Sequence, residues 1–373
     1  MAERAASQEL SARELRRYSR HLLIPEIGLA GQERLAAARV LVIGAGGLGS
    51  PALQYLAAAG VGRIGIADDD VVDETNLQRQ TLFTTADLGR PKAGVAAERV
   101  RAINPFVAAD AIAARFDEAN ARALVALYDV VLDCSDRFPT RYLANDACIL
   151  EGKPDVYASI FRFDGQVGVF MRGAPCYRCL YPEPPPTGSV PTCAEGGVLG
   201  VLAGIVGAWQ ANEALKMLLG IGEPLLGRLM LIDALGARAR EVRFERDARC
   251  ALCGDVPAID DAVEMREDVP EKIEEVEASE LESALREWTL LDVREPHEAV
   301  LGVIPGALHI PASGLEGRLH ELNSAQRYIV ACRVGVKSRW AVQRLHDAGF
   351  KRVRHLRGGL LAYAARDESF AFF

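Results

Sequence analysis

Two Cys-x-x-Cys pairs are the residues whose type and spacing most directly suggest chemistry. Cys176 and Cys179 form the first pair, and Cys250 and Cys253 form the second, with 70 residues between the two pairs. Four thiolates suit a tetrahedral zinc ion with no open coordination position, which is typical of a structural site. A pair of redox dithiols is the alternative, but neither pair follows a thioredoxin-like strand. We therefore predict a structural zinc site.

A fifth cysteine, Cys332, stands at a predicted strand–loop–helix junction. The strand pattern covers residues 327–331 and the helix pattern covers residues 339–348. Backbone N–H groups and a helix dipole at such a junction stabilise a thiolate or a persulfide. Residues 333–357 include eight basic residues and one acidic residue, so a positive potential around the thiol is also expected. Ser338 stands where a cysteine phosphatase needs arginine, which argues against phosphatase chemistry.

Three other cysteines have different surroundings. Cys193 lies in residues 181–195, a stretch rich in proline and glycine that is predicted to be an irregular loop. Its thiol is either incidental or a nucleophile. Cys134 and Cys148 lie in apolar strand and helix patterns, so we predict that both are core residues.

A glycine-rich loop follows an apolar strand pattern in the N-terminal part of the chain. Gly44, Gly46 and Gly49, with Gly47 among them, fit the dinucleotide fingerprint, because glycines let the backbone approach phosphates at a helix N-terminus. The next strand pattern ends at Asp68, which is placed to accept hydrogen bonds from a ribose. The fingerprint alone suits an ATP site, an NAD-dependent dehydrogenase or a merely tight turn.

The residues downstream of Asp68 favour ATP. Arg79 and Lys92 supply cations, and Asn76 and Gln78 supply amides, which suit an enzyme that neutralises the charge of a leaving pyrophosphate. Asp136 follows a third strand pattern, and a carboxylate at the carboxyl edge of a strand is a natural magnesium ligand.

The net charge of −8 is concentrated in one segment of the 373 residues. Residues 254–275 contain nine acidic and two basic residues and no sustained apolar period, which predicts a solvated linker. We therefore expect a domain over residues 1–253 and a second over residues 276–373. Half of the chain is apolar and a quarter is charged, which excludes global disorder.

Composition also limits the partners and the location. The acidic balance argues against non-specific nucleic-acid binding. The chain begins without a secretory pattern, and the longest apolar run, residues 198–209, is too short to cross a bilayer and predicts a buried helix. We expect a cytoplasmic protein with no nucleic-acid or membrane partner.

Residues 13–254 resemble the ubiquitin-activating-enzyme-like adenylyltransferases of the MoeB and ThiF type. The resemblance is carried by Arg17-Tyr18-Ser19-Arg20-His21, the loop from Gly44 to Gly49, residues 76–80, Lys92, and residues 133–136. It implies a Rossmann-like α/β adenylation domain in which the four paired cysteines hold zinc. It also implies a homodimer in which Arg20 reaches the site of the partner subunit.

The same resemblance implies roles for residues at the nucleotide site. Asp68 would bind the ATP ribose, Arg79 and Lys92 would hold the triphosphate, and Asp136 would bind magnesium. Cys193 falls at the crossover-loop cysteine of this superfamily, which favours a catalytic role for its thiol. Arg137 is a departure, because these enzymes usually have asparagine there, and it alters how the nucleotide is expected to be held.

Residues 273–373 resemble the rhodanese family, which implies a smaller α/β domain with a persulfide on Cys332. The motifs are the loop from Cys332 to Ser338, residues 292–295, 302–307, 310–311 and 355–359. Tyr363 stands where many rhodaneses have tryptophan, a packing variation that leaves the chemistry intact.

The two domains together resemble the MoeZ-like adenylyltransferase/sulfurtransferases. This implies ATP-dependent adenylation of the C-terminal glycine of a small ubiquitin-like sulfur carrier ending in Gly-Gly. Sulfur from Cys332, supplied by a cysteine desulfurase or thiosulfate, would then give a thiocarboxylate. A conjugation activator that forms a thioester on Cys193 is the alternative. A dehydrogenase and a non-enzymatic scaffold fit the motifs poorly. The molybdenum cofactor, thiamin, cysteine, tRNA thiolation and secondary-metabolite pathways stay open.

Overall fold

The computed structural model describes residues 9–185, 196–264, 273–300 and 302–366. Contacts divide the chain into two compact units. The first contains the residues up to 184 and residues 197–265, and the second consists mainly of the residues from 266 onward. No helix in the described ranges is long and apolar enough to cross a bilayer.

An eight-stranded sheet forms the centre of the first unit, in the order β3-β2-β1-β4-β5-β6-β7-β8. Its strands are β1 (Arg39–Ile43), β2 (Arg63–Ala67), β3 (Ala108–Ile112), β4 (Val130–Asp133), β5 (Asp155–Phe161), β6 (Asp164–Phe170), β7 (Arg228–Asp233) and β8 (Arg238–Arg243). Strands β1 to β5 are parallel to one another, and β6, β7 and β8 extend the sheet beyond β5 as antiparallel strands. The strand order reverses between β1 and β4, which is where nucleotides bind in such sheets.

The helices of the first unit connect and cover these strands. They are α1 (Ala12–Arg17), α2 (Ser19–Leu22), α3 (Gly28–Ala37), α4 (Gly49–Ala59), α5 (Lys92–Ile103), α6 (Ala121–Ala126), α7 (Phe138–Glu151), α8 (Tyr177–Leu180) and α9 (Gly200–Leu219). The predicted strand–loop–helix–strand unit is confirmed as β1, the glycine loop, α4 and β2. The apolar run of residues 198–209 forms the first half of α9, whose buried face includes Leu202 and Val206.

The second unit has a parallel five-stranded sheet in the order β11-β10-β12-β13-β9. Its strands are β9 (Glu275–Val276), β10 (Thr289–Asp292), β11 (Leu308–His309), β12 (Tyr328–Ala331) and β13 (Val353–Leu356). Its helices are α10 (Leu281–Ala284), α11 (Pro296–Ala299), α12 (Leu315–Arg318), α13 (Val336–Asp347) and α14 (Gly359–Ala364). Consecutive residues of β12 face opposite cores, Ile329 on one side and Val330 on the other. Two α/β units, one Rossmann-like and one smaller, confirm the predicted fold class.

Helix α13 begins at Val336, one turn earlier than predicted. Gly335 adopts a φ of +99° and stands at the N-cap position, so the chain turns directly from the Cys332 loop into the helix. The N-terminus of α13 therefore lies at the cysteine.

The acidic segment, residues 254–275, differs from the solvated linker that its composition predicts. Three of its carboxylates form ion pairs with arginines of the first unit: Asp255 with Arg246, Asp261 with Arg122, and Glu264 with Arg115. Ala262 is buried in the core beside α7, and Ile259 packs against the paired cysteines. At the other end, Glu275 belongs to β9 of the second unit. Nearby arginines and two apolar side chains thus dock the ends of a segment whose net charge alone suggested solvation.

Candidate active sites and metal centre

The glycine loop turns sharply between β1 and α4. Gly44 adopts a φ of +90°, a conformation that disfavours other residues. A Cβ atom on Gly49 would lie 2.1 Å from the carbonyl oxygen of Gly44, so only glycine fits there. A Cβ on Gly44 would lie 3.1 Å from the carbonyl oxygen of Cys134, so the loop after β4 abuts the glycine loop.

Asp68 connects the end of β2 to the glycine loop. Its Oδ2 accepts a hydrogen bond from the backbone N–H of Ala45 at 2.8 Å, and its Oδ1 accepts one from that of Asp70 at 2.9 Å. Burial raises the pKa of Asp68, and these hydrogen bonds oppose that shift. Each carboxylate oxygen has a further lone pair with which it could accept a hydrogen bond from a hydroxyl group.

The two predicted phosphate cations have different contacts in this region. Lys92 begins α5, is almost fully buried, and donates from Nζ to Oδ2 of Asp70 at 2.8 Å. Arg79 donates from Nη1 to the carbonyl oxygen of Thr75 at 3.1 Å. Its Cγ atom would lie 3.5 Å from a Cβ on Gly47, so the Arg79 side chain contacts the glycine loop.

The other residues predicted at the nucleotide site differ in their contacts and in their exposure to solvent. Gln78 packs against the start of α9, where a Cβ on Gly200 would lie 2.3 Å from its carbonyl oxygen. Asn76 donates from Nδ2 to Oγ1 of its neighbour Thr75 at 3.2 Å. Asp136 is exposed on the loop after β4, and Arg20 is exposed on α2. Cys193 lies outside the described residues.

Two buried residues at this site were not predicted as site residues. Gln80 is 4% exposed, and its Oε1 atom has no hydrogen-bond partner within the described residues. Asp133 is fully buried and accepts from the backbone N–H of Ser135 at 2.9 Å and from its hydroxyl at 2.6 Å. Asp133 therefore holds the loop that carries Asp136. Both residues belong to motifs that carry the family resemblance, residues 76–80 and 133–136. Nothing in the sequence distinguishes them there from ordinary exposed polar residues.

The paired cysteines form a compact four-sulfur cluster. Their Sγ atoms all lie within 4.8 Å of one another. Three of the Sγ–Sγ distances are 3.9, 3.6 and 3.3 Å. Tetrahedral zinc with Zn–S bonds of about 2.3 Å requires sulfurs about 3.8 Å apart, so this cluster fits zinc. Burial and the neighbouring thiols raise the pKa of Cys176, and a cation would compensate the charge of the deprotonated thiols.

The first cysteine pair is braced by α7. Asp146 accepts two hydrogen bonds from the Arg178 guanidinium, at 2.8 and 2.7 Å, in a buried ion pair. The side-chain oxygen of Asn145 accepts a hydrogen bond from the backbone N–H of Tyr177 at 2.8 Å. Helix α7 begins at Phe138, two residues after Asp136, so one helix joins the metal centre to the edge of the nucleotide site.

We expect Cys250→Ser to lose the bound metal and to lower the thermal unfolding midpoint of the first unit by about 10 °C. The remaining three thiols cannot complete a closed tetrahedral site, and residues 250–253 lose their attachment to residues 176–179. Metal analysis and calorimetry measure the two effects. Cys134→Ser is the control, because Cys134 lies outside the cluster. An unchanged metal content in Cys250→Ser would contradict the prediction.

Cys332 lies in a cradle of backbone donors. Its Sγ accepts from the N–H of Gly335 at 3.1 Å and from that of Ser338 at 3.3 Å. The carbonyl oxygen of Cys332 accepts from the N–H of Leu360 at 2.8 Å. A Cβ on Gly359 would lie 2.5 Å from that oxygen, so glycine lets α14 close against the loop. Amide donors at these positions can stabilise a sulfur anion.

Most of the basic residues counted around Cys332 form ion pairs. Five of the eight basic residues pair with carboxylates: Lys337 with Glu298, Arg339 with Glu275, Arg344 with Glu316, Arg354 with Glu274, and Arg357 with Glu277. All five acids lie outside residues 333–357, between 17 and 59 residues earlier in the sequence, which is why a local charge count missed them. The amides of Gly335 and Ser338 lie in direct hydrogen-bond contact with the sulfur.

His355, next to this cradle, provides a pH-dependent contribution to stability. Burial and the nearby Arg339 lower the pKa of His355 to about 4. An unfolded chain takes up this proton near pH 6.5 and the folded unit only near pH 4, so stability is lost as the pH falls through that window. The contribution amounts to about 3 kcal/mol. Urea unfolding followed by tryptophan fluorescence measures this contribution. A Trp209→Phe background removes the tryptophan of the first unit, so that the signal reports on the second unit. In the same background, His355→Asn should show a flatter dependence of stability on pH.

The comparisons with known proteins match both units. Residues 18–252 match the ThiF family, and residues 277–366 match the rhodanese-like domain. The probable adenylyltransferase/sulfurtransferase MoeZ of Mycobacterium tuberculosis is 46% identical over 95% of this chain and 94% of its own length. The sulfur carrier protein adenylyltransferase of Thermus thermophilus is 55% identical over 65% of this chain and 92% of its own length.

A solved structure supports the fold of the first unit. The crystal structure of E. coli MccB with MccA-N7isoASN matches with a TM-score of 0.57 and 24% identity, over 64% of this chain and 74% of that one. The MoeZ relative covers both domains of this chain at 46% identity, and this match establishes the family. The chain belongs to the ThiF family and, with its rhodanese-like domain, to the MoeZ-type adenylyltransferase/sulfurtransferase enzymes.

Proposed function

We propose that this enzyme adenylates the C-terminal glycine of a small ubiquitin-like sulfur carrier and then converts it to a thiocarboxylate. The observation that carries the proposal is the cradled Cys332 in a chain that also has a glycine loop flanked by Arg79 and Lys92. The Thermus thermophilus relative, a sulfur carrier protein adenylyltransferase, supports a sulfur carrier as the substrate. The intact Cys332 cradle weighs against the alternative, a conjugation activator that needs only Cys193.

In the first step, the carrier carboxylate attacks the α-phosphate of ATP and pyrophosphate leaves. Lys92 and Arg79 would stabilise the charge on the phosphates, with Lys92 exchanging its contact with Asp70 for a phosphate oxygen. Asp68 would accept the ribose hydroxyls. Asp136, an exposed carboxylate beside the glycine loop, suits magnesium, which would supply further neutralisation of phosphate charge.

In the second step, the terminal sulfur of the Cys332 persulfide attacks the acyl-adenylate and AMP leaves. The product is an acyl disulfide between the carrier and Cys332. A second thiolate, which we assign to Cys193, attacks the Cys332 sulfur of that bond, releases the carrier thiocarboxylate, and forms a disulfide with Cys332. An external dithiol would reduce this disulfide by thiol–disulfide exchange and would itself be oxidised to a disulfide. A cysteine desulfurase or thiosulfate would then reload Cys332.

The cysteine cluster would hold zinc in a closed, structural role. Its four sulfurs supply all the ligands of a tetrahedral ion and leave no position for substrate. The ion would attach residues 250–253 to residues 176–179, close to the helix that follows Asp136.

A homodimer fits the surface of the first unit. Helix α9 exposes Val201, Ile205 and Trp209, an apolar stripe with a spacing of four residues. Arg20 is exposed and therefore available to a second copy of the chain. In such a dimer the partner subunit would receive Arg20 at its own triphosphate site.

Intact-mass analysis of candidate carriers tests the proposal. The full-length enzyme is incubated with a carrier, magnesium-ATP and a sulfur donor, and the carrier is expected to gain one sulfur in place of one oxygen. Omission of ATP is the control. A carrier that becomes attached to Cys193 as a thioester, with no gain of sulfur, would instead establish the conjugation alternative.

A further inference from the structure

A chain of hydrogen bonds runs from the sulfur of Cys332 into the core of the second unit. The Ser338 hydroxyl oxygen lies 3.4 Å from Cys332 Sγ, 3.0 Å from the carbonyl oxygen of Gly335 and 3.0 Å from Nδ1 of His355. On the far side of the imidazole, Nε of Arg339 donates to Nε2 of His355 at 3.4 Å. Ser338 and His355 are both almost completely buried.

The direction of the protons follows from the chemistry of the groups. A guanidinium can only donate, so the Arg339 contact requires a lone pair on Nε2 of His355. A neutral imidazole then carries its single proton on Nδ1, which donates to the Ser338 oxygen. The serine hydroxyl keeps its own proton, and its two acceptors are the Gly335 carbonyl oxygen and the Cys332 sulfur.

The surrounding fold holds the imidazole in this orientation. His355 lies on β13, between β12 and β9, opposite Val330 and Glu275 in the strand registers. A Cβ on Gly335 would lie 3.1 Å from Cε1 of His355, so the ring packs under the cysteine loop.

The charged groups around His355 come from two strands and one helix. Arg339 on α13 pairs with Glu275 on β9, Glu274 of the same segment pairs with Arg354, and Arg357 pairs with Glu277. These pairs compensate the neighbouring charges while leaving the imidazole neutral.

We propose that the Ser338 hydroxyl is a catalytic hydrogen-bond donor to the sulfur of Cys332 and that His355 is the positioning residue that orients it. This inference rests on the sulfurtransferase role of Cys332 proposed above. In the half-reaction with thiosulfate, the Cys332 thiolate attacks the outer sulfur, the S–S bond of thiosulfate breaks, and sulfite leaves with the electron pair. The hydroxyl and the two amides stabilise the Cys332 thiolate that begins this step. The negative charge then passes to the outer sulfur of the new persulfide.

Four variants of the full-length enzyme test the relay: Ser338→Ala, His355→Leu, His355→Asn and the double variant Ser338→Ala/His355→Leu. We expect Ser338→Ala and His355→Leu to slow persulfide formation from thiosulfate about tenfold to a hundredfold, the usual effect of losing a hydrogen bond to a charged group. His355→Asn should recover most of the rate, because its side-chain amide can donate to the serine. Alkylation of Cys332 by iodoacetamide should shift to higher pH in the two slow variants.

Non-additivity distinguishes a relay from a general loss of packing. If His355 acts through Ser338, the double variant will be no slower than Ser338→Ala. Additive losses, or a His355→Asn variant as slow as His355→Leu at equal thermal stability, would overturn the inference. His346→Leu, an exposed histidine on the same helix as Ser338, is the control and should match the wild type. If wild-type Cys332 takes no sulfur from thiosulfate or a desulfurase, the proposed function fails, and the alkylation profiles still decide the relay.

Discussion

Cys332→Ala will abolish thiocarboxylate formation, with a loss of about a thousandfold or more, while ATP–pyrophosphate exchange continues at the wild-type rate. The reason is that the two proposed reactions would use residues of different units, each with its own core. Exchange of labelled pyrophosphate measures the first reaction, and intact mass of the carrier measures the second.

A buried thiol in the first unit provides the control for this prediction. Cys148 is fully buried on α7, and burial raises its pKa well above the ordinary value, so no thiolate is available there. Cys148→Ala should retain both reactions. Normal thiocarboxylate formation by Cys332→Ala from a persulfide donor would show that the proposed division of labour is wrong.

Lys92→Met will reduce ATP–pyrophosphate exchange by about a hundredfold to a thousandfold, because the Lys92 ammonium would no longer stabilise charge on the phosphates. The substitution keeps the aliphatic stem in its buried position at the start of α5. Its folding cost is small, because the Asp70 carboxylate left behind is 70% exposed and can be solvated. Persulfide formation on Cys332 should continue.

Lys153→Met is the matched control, since it removes a lysine charge in the same unit outside the glycine-loop region. It should leave both reactions unchanged. Pyrophosphate exchange by Lys92→Met within twofold of the wild-type rate would contradict a phosphate role for this lysine. Loss of persulfide formation as well would point to a general folding defect.

Local patterns predicted the elements and most of the residues that surround the glycine loop. Strand and helix periodicity is a short-range property, and the carboxyl ends of parallel strands meet at one edge of a sheet. The end of β2 at Asp68, and the loop after β4, therefore reach the glycine loop as expected. The four-sulfur cluster also followed from spacing, since each Cys-x-x-Cys turn offers two neighbouring thiols.

The destinations of the charges could not be predicted in this way. Lys92 pairs with Asp70, 22 residues earlier, and Arg354 pairs with Glu274, 80 residues earlier. Composition made residues 254–275 look solvated, whereas Ala262 is buried in the first unit. A charge count along the chain does not tell which oppositely charged residues become neighbours in the folded protein.

The amino-acid sequence by itself determined that this protein combines two chemistries, and it identified the glycine loop, the cysteine cluster and Cys332. These depend on glycine sterics, ligand spacing and strand–loop–helix order, all of which act over a few residues. Only the tertiary structure decided what surrounds the sulfur: backbone amides and the Ser338 hydroxyl, with His355 behind it and the nearby cations paired. Hydrogen bonds and ion pairs act through space over a few ångströms, and the folded chain alone brings residues 338 and 355 to that distance.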